Sequence, residues 1–243
     1  MSAGAFDATT APDHDQPAGA ACLPSQAEIG DRLGQIRERI RQVAPRAEDV
    51  TIVAVTKGFP ASIAERAVGA GLMELGENYA QELLAKAPGV PAGVRWHFLG
   101  SLQRRRTRAL AAHVAVWEAM DRRVAVDAVA DAQPAAEVFV QVNVTGDPAK
   151  QGCALSETPD VVAHCHRRGV HVRGLMGVGP VGDAVLSRRT FSRLAGLAGD
   201  LGLDELSMGM SDDYEIAVSE GATTVRLGRA LFGPRPSRPE ARR

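Results

Sequence analysis

The chain has 243 residues, 45% hydrophobic and 4% aromatic, with 28 basic against 29 acidic side chains and a formal net charge of −1. That length fits one large domain or two small ones, and the balanced charge offers no basic field for a phosphate backbone, which argues against a dedicated nucleic-acid binder. No run of about 18 uncharged apolar residues occurs, so no membrane-spanning helix is expected, and the scarcity of aromatics leaves a core mainly of Val, Ala and Leu, which suits packed parallel strands.

Residues 1–24 are dominated by Ala, Gly, Pro and Asp and lack the basic and apolar regions of a secretion signal. They read as a disordered tail. Order begins at Ser25, spaced from Glu28 as a capping box. Ile29, Leu33, Ile36, Ile40 and Val43 then form one helical stripe, closed by Pro45. A strand follows over 50–56, a helix over 60–70, a strand over 72–75 and a helix over 78–87 closed by Pro88. Strand 94–99, helix 103–112, strand 113–120 and helix 122–132 continue the alternation. The strongest strand is 137–144 (EVFVQVNV), followed by helix 158–168, strand 170–175 and helix 184–201 with Leu186, Leu194, Leu197 and Leu201 inward. Strand 205–208, helix 212–220 and strand 223–227 complete the series, and a last helix is expected after Gly228. Residues 234–243 read as a flexible C-terminal end with Pro234, Pro236 and Pro239.

Eight short strands alternating with helices argue for a parallel sheet with helical crossovers. Eight such units in one chain of this length argue for a closed α/β barrel, a single (β/α)8 TIM barrel over residues 25–233. The open doubly wound sheet is the alternative, but it usually carries a glycine-rich turn after its first strand, and TKGFPAS is not one.

A barrel places function at the C-terminal ends of its strands. Lys57 closes the apolar first strand, so desolvation should lower its pKa, as an imine-forming lysine requires; a lysine snorkelling off a strand end is the plainer alternative. Phosphate sites in barrels are often built from the loops after strands seven and eight. Here those loops are GMSDD and LGRA, with a hydroxyl at Ser211 and close backbone approach permitted at Gly228. An amine at strand one facing such a cradle suits a phosphorylated aldehyde. Arg226 points to the same mouth, either beside a pyridine nitrogen, which it would keep unprotonated, or in an interior ion pair with a carboxylate. His97 and Asn143 read equally well as mouth-lining or structural polar groups. His164 and His166 stand two apart on a helix and so on different faces, which disfavours a metal pair. Asp212 and Asp213 suit the start of the helix after strand seven. Arg104, Arg105, Arg106 and Arg108 form a basic run that reads as a solvated helix face or a contact for an anionic partner, without interleaved aromatics for nucleic acid. Cys22, Cys153 and Cys165 give neither a disulfide framework nor a zinc site and read as idle thiols in a reducing compartment.

The segments AVTKGFP around Lys57, GENYAQE at 76–82, WHFLGSLQ at 96–103, QVNVTGDPAKQG at 141–152, RGLMGV at 173–178 and SMGMSDDYEIAVSEGATTVRLGRALFG at 207–233 occur in one order. In these the chain resembles the pyridoxal phosphate homeostasis proteins, single-barrel relatives of the alanine racemase N-terminal domain (fold-type III). The resemblance implies that Lys57 holds pyridoxal 5′-phosphate (PLP) as an internal aldimine, that Ser211 and the Gly228–Arg229 backbone take its phosphate, that Arg226 faces the pyridine nitrogen, and that Asn78 lies beside the cofactor. No residue is assigned to a metal or given a catalytic role. Two departures stand out: the family often has a second basic residue after the aldimine lysine and an Asn-Lys pair after the Leu-Gln, where this chain has Gly58–Phe59 and Arg105–Arg106.

The resemblance implies a cytoplasmic monomer that buffers or delivers PLP, with PLP-dependent apo-enzymes as recipients, without membrane or nucleic-acid partners and without turnover of its own. A two-base racemase needs a second acid/base group across the substrate. In the racemase relatives that tyrosine comes from another domain of a partner chain, and this chain is expected to lack such a domain. The alternative is a small PLP-dependent racemase or lyase using Lys57 as base. A cofactor-independent Schiff-base aldolase and an interaction scaffold using the arginine run stand further off.

Overall fold

A computed structural model of the protein describes residues 23–44 and 47–236. The expected tail before Leu23, Cys22, the helix stop at Pro45 and the C-terminal end from residue 237 lie outside the described residues.

Helix α1 (Gln26–Val43) starts with the expected capping box, in which the Glu28 N–H donates to Ser25 Oγ at 3.2 Å and the Ser25 N–H donates to Glu28 Oε2 at 2.7 Å. It buries Ile29, Leu33, Ile36 and Ile40. There follow β1 (Thr51–Val55), α2 (Ala61–Gly69), β2 (Glu74–Glu77), α3 (Ala80–Lys86), β3 (Arg95–Phe98), α4 (Arg104–Ala111), β4 (Val114–Met120) and α5 (Arg123–Ala132). The second half is β5 (Glu137–Val142), α6 (Thr158–Arg167), β6 (His171–Gly177), α7 (Ala184–Asp200), β7 (Glu205–Ser207), α8 (Tyr214–Ser219), β8 (Thr224–Leu227) and α9 (Arg229–Phe232).

All eight strands are parallel and pair in chain order, and β8 returns to β1 with Thr51 opposite Thr224 and Ala54 opposite Leu227. The sheet is thus a closed barrel wrapped by helices, as the alternation of elements predicts. Alternate side chains divide it into two cores. Ile52 and Ala54 of β1 face outward into the large cluster shared with the helices, where Trp117 and Phe191 are fully buried. Val53 and Val55 face inward and pack with Leu99, while Val116, Phe139 and Met176 form a second interior cluster.

Two expectations shift. The second strand lies two residues later than the apolar run 72–75, because its paired residues are Glu74, Leu75, Gly76 and Glu77, of which only Leu75 carries a strand-like signal. Leu186 is 46% exposed: the buried face of α7 runs through Ser187, Thr190, Phe191, Leu194 and Ala198, one position away from it. Among the described residues no helix is long and apolar enough to cross a membrane.

Candidate functional site

Lys57 continues the inward parity of Val53 and Val55, so the residue after β1 opens onto the C-terminal mouth. The strand end is fixed from behind. Thr56 Oγ1 donates to Glu77 Oε1 at 2.7 Å, and Lys86 Nζ donates to the Thr56 carbonyl at 2.8 Å and to Glu77 Oε1 at 2.5 Å. The Gly58 N–H donates to Glu82 Oε2 at 2.7 Å, which ties the turn to α3. Gly58 takes φ +75°, a left-handed conformation that glycine adopts without strain. Burial pushes the Lys57 amine below the usual lysine range. Repulsion from Arg235 and Arg226 adds to this, against attraction from Glu77 and Glu82.

A cavity of about 380 Å³ opens at this mouth, within the ~300–1,000 Å³ span of small-molecule sites. Lys57, Asn78, Ser211, Arg226, Gly228 and Arg229, the six residues singled out in the sequence, all line it. On the far side the loops after β7 and β8 meet. Ser211 Oγ accepts the Ala230 N–H at 3.0 Å, which joins the two loops. Among the described residues no backbone acceptor is paired with the N–H groups of Ser211, Gly228 or Arg229. A Cβ on residue 228 would stand 3.1 Å from the Val55 carbonyl oxygen, so glycine lets β8 end this close to β1. The Arg229 guanidinium pairs with exposed Asp212, and both residues line the cavity. Asp213 Oδ1 accepts the Met210 N–H at 2.6 Å and shapes the loop; burial raises its pKa against that bond and Arg226.

Arg226 is buried on the inner face of β8. Its Nη1 donates to Ser207 Oγ at 2.7 Å and its Nη2 to the Gly177 carbonyl at 2.9 Å. It lines the cavity and also stands 3.9 Å from buried Glu118, the interior ion pair left open in the sequence. Burial lowers its pKa, against the attraction of Glu118 and Asp213.

Among the described residues two buried side-chain polar atoms have no hydrogen-bond partner, Asn78 Oδ1 and Gln141 Oε1, and both residues line this cavity. Buried polar groups are nearly always paired, so two orphans on one wall point to a ligand that supplies their partners. Gln141 was not singled out in the sequence, where it reads as one polar position in a strong strand. Gln151 and Arg235 also line the cavity unforeseen. Arg235, in the segment read as a flexible end, packs its Cδ against Gly58.

Other candidates resolve as structural. His97 lies below the mouth, between Glu118 and Glu74. Asn143 Nδ2 donates to the Asp147 and Lys150 carbonyls and so shapes the β5–α6 loop. His164 pairs with Asp127 at 2.9 Å, and among the described residues no group of three or more His, Cys, Asp or Glu could hold a metal ion. Cys153 and Cys165 are buried, and burial pushes the Cys165 thiol up to about 12. Arg104, Arg105, Arg106 and Arg108 form no ion pair among the described residues; Arg105 and Arg106 line an adjoining groove with exposed Tyr79.

Fold and site together define a barrel with a half-buried, depressed-pKa amine after its first strand, facing two loops joined through Ser211 after its last two. The family described as alanine racemase, N-terminal domain, matches residues 32–236. A pyridoxal phosphate homeostasis protein of Pseudomonas aeruginosa is 39% identical over 220 residues, covering 85% of this chain and 96% of the relative. One from Deinococcus radiodurans is 40% identical over 207 residues, covering 82% and 97%. Among solved structures, PipY of Synechococcus elongatus with PLP bound superposes with a TM-score of 0.74 at 29% identity, covering 84% of this chain and 100% of that one. A lysine decarboxylase from Selenomonas ruminantium, 18% identical with a TM-score of 0.66, shares the fold. The chain belongs to the alanine racemase N-terminal domain family, and within it to the pyridoxal phosphate homeostasis proteins.

Proposed function

We propose that this protein binds pyridoxal 5′-phosphate at the barrel mouth and serves PLP homeostasis as a carrier that holds and releases the cofactor. The observation that carries this reading is the coincidence, in one cavity, of the desolvated Lys57 amine, unpaired N–H groups on the β7 and β8 loops, and the two orphaned amides Asn78 and Gln141. PLP, when bound, supplies an aldehyde to which amines add reversibly and an electron-withdrawing ring.

Lys57 would be the attachment point, because its lowered pKa leaves more of the amine neutral and so able to add reversibly to an aldehyde. Ser211 and the N–H groups of Gly228 and Arg229 would hold the phosphate. Arg226 would face the ring nitrogen, and Asn78 and Gln141 would line the ring. The reversibility of amine addition would let the cofactor pass to an apo-enzyme.

A carrier rather than a racemase is supported by the cavity wall. Among the described residues that line it the one carboxylate is Asp212, which is paired with Arg229. The names of the relatives agree with this reading. Adding PLP to the purified protein should produce a visible absorption band. Borohydride should bleach it and fix the label on Lys57, and Lys57→Ala should form neither band nor adduct. A protein that stays colourless, or a label on another lysine, would overturn the site. Sustained turnover of free amino acids that is lost in Lys57→Ala would replace the carrier with an enzyme.

A further inference from the structure

Beneath the cavity the barrel interior holds an unbroken chain of polar side chains. Glu74 Oε2 lies 2.8 Å from His97 Nε2, and His97 Nδ1 lies 2.5 Å from Glu118 Oε1. Ser207 Oγ donates to Glu118 Oε2 at 2.6 Å and accepts from Arg226 Nη1 at 2.7 Å. The links come from β2, β3, β4, β7 and β8, so the chain crosses the barrel and ends at the arginine on the cavity floor.

The chemistry fixes its polarity. A neutral imidazole has one N–H, yet both ring nitrogens of His97 meet a carboxylate at bonding distance, so the ring is an imidazolium donating twice. The single Ser207 hydrogen is committed to Glu118, which leaves its lone pair facing Arg226. Glu118 is fully buried and accepts from both sides, so it is a fixed negative charge directly behind the guanidinium. Around Arg226 stand Glu118, Ser207, the Gly177 carbonyl, Asp213 and Lys57. Around the rest of the chain stand His97, Glu74 and, beyond it, Arg95 at 3.2 Å.

We propose that Glu118, clamped by His97 and relayed through Ser207, is the positioning residue for Arg226, and that it sets the electronic state of the cofactor bound above. The relay aims the guanidinium at the cavity and balances its charge. This rests on the proposed PLP site. Buried ionic chains seldom add net stability over apolar packing, so a role in tuning gives this one a reason to exist.

The test is a pH titration of the visible band in PLP-loaded wild type, Glu118→Gln and Ser207→Ala. In Glu118→Gln the arginine cation loses its buried counter-charge and acts more strongly on the Lys57 nitrogen, whose protonation gives the band, and the midpoint should fall by about one pH unit. Ser207→Ala keeps both charges but cuts the link, and should shift the midpoint in the same direction by less. A purely structural role predicts a lower melting temperature of the unloaded variants with the midpoint unmoved, and that result overturns the proposal. Should Glu118→Gln fail to fold, Ser207→Ala decides alone, because it removes a single oxygen. A wild type without any visible band sinks the PLP site itself, and the inference with it.

Discussion

Two arginines repel the Lys57 amine, and they are held very differently. Arg226 is locked by Ser207 and Gly177, whereas Arg235 is exposed and forms no ion pair among the described residues. Arg235→Ala should therefore raise the Lys57 pKa and move the pH profile of borohydride-trapped PLP capture upward. High salt should blunt the difference between variant and wild type, because an exposed charge is screened. Arg229→Ala, by contrast, should leave PLP retention within about twofold of wild type, since only its backbone is assigned to the phosphate and surface ion pairs contribute ~0–1 kcal/mol. A large loss of retention on equilibrium dialysis would put the Arg229 side chain into the site. Lys57, Ser211 and Gly228 are legible in the sequence because strand ends in a barrel converge. Gln141, Glu118 and Arg235 are not. A polar residue inside a strand does not reveal which interior partner it meets, and a Pro-rich terminal segment does not reveal that Arg235 reaches the mouth.

The elements depend on one another through their loops. The β1–α2 turn that carries Lys57 is closed by its own Phe59 N–H, which donates to the Thr56 carbonyl, and is also held by α3, through Lys86 and Glu82. Lys86 and Glu77 are an almost fully buried pair, and burial raises the Glu77 pKa against the attraction of Lys86. Lys86→Met should destabilise the protein by about 3–5 kcal/mol, because it strands a buried carboxylate. Lys86→Met combined with Glu77→Leu should recover much of that loss in a denaturant melt, while PLP capture stays impaired because the Thr56 carbonyl has lost its anchor. Recovery of both properties would show that the pair does not position the turn. The strands β1, β4 and β5 start within one residue of their expected positions. β2 starts two residues late, because Glu74, Gly76 and Glu77 hold interior and anchoring positions that demand polar or small residues in place of strand formers.

At the scale of the whole molecule, closure of the barrel turns separate strands into one electrostatic unit. The eightfold alternation was visible in the sequence, but the Glu74–His97–Glu118–Ser207–Arg226 chain was not, since its links are 19 to 89 residues apart. This unit has a definite pH signature. Burial alone would lower the His97 pKa, but hydrogen bonds to Glu118 and Glu74 outweigh it and raise the value. Burial would likewise raise Glu118, and the bond and charge of His97 outweigh it and lower the value. The His97 contribution to stability is therefore complete below its unfolded pKa of ~6.5 and is lost as pH rises through the raised folded value. That of Glu118 is complete above its unfolded value and is lost as pH falls through the lowered one. Lys57 acts in the opposite sense on the alkaline side, because its lowered pKa makes stability rise toward the ordinary lysine value. The measurement is best made in a Lys57→Met background, where that rise is absent. There the melting temperature of the unloaded protein should decline with pH above neutrality, and adding His97→Gln should flatten the decline while lowering the plateau. An alkaline limb of equal slope in both proteins would mean that the imidazolium at the centre of the barrel does not hold the unit together.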